Sequence, residues 1–257
     1  DVCEDIVKPF TKPYTMSMCD LLHQTSAAGH NQGIGKATVF ISHAWKYRFV
    51  DLVDALKTHF IDTTMDTIVW FDVFSVNQHS TGIVRDFSWW SGTFQNAIKQ
   101  FNHTVMVLSP WHDPIPLTRA WCLWELYSTV QMDCRFEVAF SRNEQEKFFA
   151  DMCNDSIEAV DKMLSSINVT RSESFNPLDK QRIFEVVESS IGFGKLNSVV
   201  FEHLREWMKT ATMKEIETLS DSDDNQKKRK YMMKATLGRI LMGQADYFKA
   251  NEIFEAL

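Results

Sequence analysis

Four polar clusters in the first half of this sequence carry side chains that could bind a polar ligand or act on it. Ser42, His43 and Trp45 follow an apolar run in FISHAW (40–45), and Asp72, Asn77, Gln78 and His79 follow another in WFDVFSVNQH (70–79). Ser109 and Trp111 end VMVLSPW (105–111), while Arg119, Cys122 and Glu125 stand in TRAWCLWEL (118–126). Hydroxyls, amides, imidazoles and indoles together can hydrogen-bond ribose or phosphate and stack on a base. A carboxylate among them adds acid–base or electrostatic catalysis.

Each group also has a structural use. His43 could satisfy local backbone groups while Trp45 plugs the domain, and residues 77–79 could organise a loop through an Asx-type turn, with Asp72 read as structural. Arg119, at the start of a helical pattern, could hold phosphate beside the helix dipole or pair with a carboxylate such as Glu125. Cys122 has no evident base and reads as core filler. Trp89, Trp90 and Trp111 could stack on a purine or a nicotinamide or simply fill space. His43, Asp72, His79, His112 and Asp113 lack metal-ligand spacing, so no metal site is expected.

Strand ends must bring these groups together. Residues 37–42, 67–73, 104–109 and 135–140 read as strands, and a fifth is expected near 166–170. Between them, Phe49, Leu52, Val53, Leu56 and Phe60 fall at helical spacing, residues 93–101 make a short helix, and Ala120, Leu123, Trp124, Tyr127 and Val130 form an apolar helical face. A further helix is expected over 144–164. Alternation of short strands and helices implies a parallel sheet covered on both faces. With five strands in the order 2-1-3-4-5, ligands would bind outside the strand C-termini, where Ser42, His43 and Trp45 face Ser109 and Trp111.

The remaining organisation is simpler. Residues 1–36 read as an extension packed on the core, 37–175 as the α/β domain and 176–219 as a helical extension. The charged run SDSDDNQKKRK (220–230) reads as a linker with Lys227 and Lys230 in a solvated helix start. From 231, Leu237, Gly238, Tyr247, Ala250 and Phe254 fall at the offsets of the first, incomplete helix pair of a tetratricopeptide repeat. A repeat array would bind a protein partner.

Composition narrows the function classes. With 257 residues, 44% hydrophobic and 24% charged, the chain is an ordinary globular protein. A net charge of −7 argues against nucleic-acid binding. No apolar run is long enough to span a bilayer, so no membrane partner is expected. Five scattered cysteines without a C-x-x-C pair point to reduced thiols and a cytoplasmic location.

Residues 37–175 resemble a TIR (Toll/interleukin receptor) domain of the divergent form found beside tetratricopeptide repeats. FISHAW is similar to the family's first box, and VLSPW followed by AWCLWEL to its third-strand serine and Trp-Cys-x-x-Glu-Leu helix. The resemblance implies a flavodoxin-like fold, self-association as a signalling device and, in some members, cleavage of the glycosidic bond of NAD. It places the catalytic glutamate at the start of the helix after the second strand, where Gln95 stands here. An amide there can bind a ribose hydroxyl without stabilising an oxocarbenium ion, unless Asp86 in the preceding loop supplies the charge; Glu125, the remaining candidate acid, reads as structural rather than catalytic. The expected function is therefore an interaction module with a nucleotide pocket of Ser42, His43, Trp45, Asn77, Gln95, Ser109, Trp111 and Arg119. The alternative is an NAD-cleaving enzyme, and a carboxylate facing the pocket is what would separate the two.

Overall fold

The computed structural model describes residues 1–25, 33–63, 67–79, 87–153, 168–243 and 246–255. The chain starts with a wide helical turn, Cys3–Val7, that runs into α1 (Lys8–Thr11) and is followed by α2 (Met18–Thr25). Then come β1 (Val39–Ser42), α3 (Phe49–His59), β2 (Val69–Trp70), α4 (Asp72–Ser75) and α5 (Phe87–Phe101). The α/β part closes with β3 (His103–Val107), α6 (Ala120–Gln131), β4 (Arg135–Ala139) and α7 (Arg142–Cys153).

The four strands pair in parallel in the order β2-β1-β3-β4. Phe40 of β1 lies opposite Trp70 of β2 and Thr104 of β3, and Thr104 opposite Phe136 of β4. All four residues of β1 are buried, because successive side chains enter cores on opposite faces. Val39 and Ile41 pack with Leu52, Ala55 and Phe71 on one face, where Cys3 and Val7 of the amino-terminal turn also lie. Phe40 and Met106 pack with Phe94, Ile98 and Leu123 on the other.

The expected fifth strand is absent among the described residues. Val169–Arg171 is a single 3-10 turn, and 166–167 lie outside the described residues, as does the second half of the helix expected over 144–164. The face of β4 that carries Phe136 is covered by a helix: the Phe136 ring meets His203 at 5.1 Å, and just past the strand Phe140 meets Trp207 at 4.4 Å.

From residue 177 the chain is helical, in α8 (Pro177–Ser190), α9 (Gly192–Thr218), α10 (Asp224–Gly243) and α11 (Tyr247–Glu255). Asn176 caps α8 through its side chain, which accepts from the Leu178 N–H at 3.1 Å. These helices share the core of the sheet: Ile183, Leu196, Leu204, Met208 and Met233 are buried in one cluster with Phe148 and Trp124. The linker expected over 220–230 is shorter, because α10 begins at Asp224 and the basic run forms its exposed first turns. Lys230 and Arg229 pair with Asp221 and Glu215, which holds that start against α9. The last two helices pack closely, with Ala250 fully buried among Leu237 and Leu241. A Cβ on Gly238 would stand 2.6 Å from the Phe254 ring, so glycine permits the approach. Among the described residues, no helix is long and apolar enough to cross a membrane.

Candidate functional site

A cavity of about 190 Å³ opens at the C-terminal ends of β1 and β2, between them and the first turns of α5 and α6. Its walls are aromatic, from Trp45, Trp70, Trp90, Phe94 and Trp121, and its polar groups are His43, Asp72, Gln78, Arg119, Glu125 and Asp179. The walls brace one another: Trp70 packs on Phe94 at 5.9 Å, and Phe94 meets Trp121 edge-on at 5.5 Å. An apolar cleft with a few convergent polar groups is the usual form of a small-ligand site.

Glu125 is the central acid. Helix α6 starts at Ala120 after the extended residue Arg119, and the helical repeat sets Trp121, Cys122 and Glu125 on one face, one turn apart. That face looks into the cavity. Glu125 is buried, and its Oε2 has no hydrogen-bond partner among the described residues. Burial pushes its carboxyl up to about 8; the Ser42 hydroxyl opposes this, the nearby Asp72 carboxylate adds to it, and Arg119 opposes it more weakly.

His43 and Asp72 form the facing wall. His43 is buried edge-on against Phe71 at 4.3 Å, and burial lowers its pKa, so the imidazole is neutral at pH 7. Its Nε2 lies 3.3 Å from Asp72 Oδ1 but makes no hydrogen bond of good geometry. Asp72 starts α4, accepts the Val73 N–H at 2.7 Å and takes the indole N–H of Trp45 at 2.8 Å. Trp45 is thus tied over the mouth of the cavity while remaining half exposed. Gln78 braces this corner by donating to the backbone carbonyls of Asp72, Val73 and Val76.

Of the residues singled out in the sequence, the binding candidates His43, Trp45 and Arg119 and the acid Glu125 line the cavity, together with Asp72, Gln78, Trp90 and Cys122. Ser42 lies fully buried beneath it, and its hydroxyl favours ionisation of Glu125. The other four binding candidates point elsewhere. Asn77 donates to the Thr15 carbonyl at 2.6 Å and accepts from the His79 N–H, which fastens the loop to the amino-terminal segment. Ser109 is held at its backbone by the Tyr47 hydroxyl, which donates to its carbonyl at 2.6 Å and accepts its N–H at 2.8 Å. Trp111 is a core residue on the other flank, its indole N–H on Asp151 at 3.1 Å. Gln95 sits on α5 next to Phe94 but does not line the cavity, since adjacent helix positions diverge by about 100°. Asp86 lies outside the described residues. Among the described residues, no group of three or more histidine, cysteine or acidic side chains could hold a metal.

Two contributors were not legible in advance. Trp70 reads in the sequence as a strand residue, and only the early end of β2 leaves its indole at the cavity. Asp179 belongs to α8, more than fifty residues beyond Glu125, and nothing in its local sequence points to the strand ends.

Compared with known proteins, the chain matches no family model, no curated protein and no solved structure.

Proposed function

We propose that this chain is a TIR-like signalling module that binds NAD by its nicotinamide–ribose end and cleaves the bond between them, with Glu125 as the catalytic carboxylate. The observation that carries this reading is the buried, unpartnered Glu125 oxygen facing an aromatic cavity at the strand ends. A buried carboxyl oxygen left without a partner costs stability, which supports a role toward a ligand rather than toward the fold.

The chemistry follows from the walls. The cavity is smaller than the roughly 300–1,000 Å³ of pockets that enclose a whole drug-sized ligand. It suits the pyridinium ring with its ribose, the rest of the dinucleotide lying outward past Trp45 and Arg119. A flat cationic ring would be held by the indoles through stacking and cation–π attraction. Its charge also favours the ionised form of Glu125, countering the burial that keeps the free acid protonated. When the C1′–N bond breaks, the bonding pair leaves with the nicotinamide nitrogen, and the ribosyl cation is stabilised by the Glu125 carboxylate until water adds. Neutral His43 can accept a hydrogen bond from that water or take its proton.

Incubating the purified chain with millimolar NAD and following free nicotinamide by chromatography tests this. Release above the spontaneous background is expected, and its absence over hours would sink the enzymatic reading.

A second reading accompanies the first at the other end of the chain. Phe248 is 76% exposed and Tyr247 61% exposed on α11, which supports a protein-binding face of the tetratricopeptide kind on the last helix pair. Phe248→Ser should then weaken self-association measured by light scattering, and unchanged scattering would remove this face from consideration.

A further inference from the structure

Helix α4 is a single turn, Asp72–Ser75, too short to be stable on its own backbone hydrogen bonds. Its place is set from outside. The buried amide of Gln78 donates to the carbonyls of Asp72 at 3.0 Å, Val76 at 3.2 Å and Val73 at 3.3 Å, which supplies partners that the end of a helix lacks. The residues on either side of Gln78 are in turn fastened to the amino-terminal segment. Asn77 Nδ2 donates to the Thr15 carbonyl at 2.6 Å. His79 Nε2 lies 2.7 Å from Thr11 Oγ1, and since that fully buried hydroxyl gives its one proton to the Val7 carbonyl at 2.7 Å, the imidazole is the donor. Thr15 stands at φ 49°, a left-handed conformation that a β-branched residue adopts only where its surroundings fix it. Cys3 and Val7 of the same segment share a core with Phe71 and Val73.

We propose that Gln78 is a positioning residue for Asp72 and Trp45, and that the amino-terminal segment, by holding Asn77 and His79 on either side of it, is a working part of the site. The contacts run from Thr11 and Thr15 through residues 77–79 to the Asp72 carboxylate, which takes the Trp45 indole N–H at 2.8 Å over the cavity mouth. With the segment loosened, α4 loses its outside support and the indole its fixed acceptor. Trp45 then ceases to be a wall against which a flat ring can stack. Only the identity of that ring rests on the NAD-cleaving reading, which this proposal deepens. A partner that drew residues 1–25 away would open the mouth by the same route.

Nuclear magnetic resonance of the full chain with isotope-labelled tryptophan tests this without any ligand. Among the eight indole N–H resonances, that of Trp45 is the one lost in W45F. N77D can still accept the His79 N–H but cannot donate to Thr15, while T11V removes the acceptor of His79 and T11S keeps it. In the N77D/T11V double variant the Trp45 resonance should shift and its proton should exchange with solvent about fivefold faster, the equilibrium equivalent of one net hydrogen bond. N77D and T11V alone should each give part of this change, and they carry the comparison if the double variant does not fold. T11S should match the wild type, and Gln78→Leu should reproduce the double variant. N176A removes the cap of α8, so it should lower the melting temperature and leave the Trp45 resonance in place. With NAD, the double variant should show a KM raised about fivefold and a kcat little changed, since Glu125 on α6 keeps its position. If the wild type does not cleave NAD but the indole behaves as described, positioning stands and the glycohydrolase reading falls. A Trp45 resonance unmoved in folded N77D and T11V proteins, or moved equally by N176A, would overturn the proposal whether or not NAD is cleaved.

Discussion

Two glutamates on opposite sides of the sheet are treated in opposite ways by the fold. Glu137, on β4, is fully engaged: its Oε2 is 2.6 Å from His103 Nε2 and 3.3 Å from His59 Nε2, and its Oε1 is 2.6 Å from Arg135. These hydrogen bonds hold its carboxyl well below the usual range against the opposing effect of burial. Glu125 has an oxygen without a partner, and burial pushes its carboxyl to about 8. Carboxylates whose every oxygen is engaged hold elements together, here β4, the start of β3 and the end of α3. One that is buried and left open is pushed toward its neutral form, which is the kind of group that marks a candidate functional site.

The largest expected effect separates the two by activity. Glu125→Gln should reduce NAD cleavage by about 100- to 1,000-fold, the usual loss when a charge-stabilising group is removed from a transition state. Glu137→Gln should leave the rate within about threefold, as expected of a residue away from the reacting bond. Equal losses in both would erase the distinction.

Stability should show the reverse order. Glu137→Gln removes charge-assisted hydrogen bonds from a partly screened site and should cost about 1–2 kcal/mol. That is a fall of about 2–4 °C in Tm for each kcal/mol in a chain of this size. Glu125→Gln replaces a strained acid by a neutral isostere and should leave Tm unchanged or raise it. A marked fall would mean that Glu125 supports the fold.

The pH profiles sharpen the contrast further. If the ionised form of Glu125 is required, kcat/KM should climb about tenfold per pH unit toward a plateau that begins near its free-protein value of about 8. A flat profile between pH 6 and 9 would remove that requirement.

The smallest effect lies in the stability curve. Glu125 has a raised folded pKa, so its contribution is full below the ordinary value of 4.5 and is lost as pH rises through about 8. Glu137 has a depressed one, so its contribution is present above 4.5 and is lost as pH falls through its lower folded value. Denaturant midpoints across pH should lose the first slope in Glu125→Gln and the second in Glu137→Gln.

The sequence by itself placed four parallel strands and the segments that end at the site, because apolar runs bounded by polar clusters leave few other parallel arrangements; it overextended the second, expected over 67–73, which is only Val69–Trp70 because a helix starts at Asp72. It also put Glu125 one turn after Trp121 and Cys122, which fixes a shared helical face wherever the helix packs. The fifth strand was misread because Val169–Arg171 closes into a 3-10 turn, and nothing local announces that the face of β4 will be met by His203 and Trp207 from a helix nearly seventy residues later. The choice between Gln95 and Glu125 was likewise beyond local pattern: both sit on amphipathic helices near strand ends. Only the rotation of α5 and α6 about their own axes, set by packing of Phe94, Ile98, Leu123 and Leu126 into one core, decided which of the two faces the cavity. Asp179 belongs wholly to the tertiary structure, since the bridge at Glu173 that carries α8 to the site joins segments about fifty residues apart. Short-range periodicity assigns faces, whereas long-range packing assigns what each face meets.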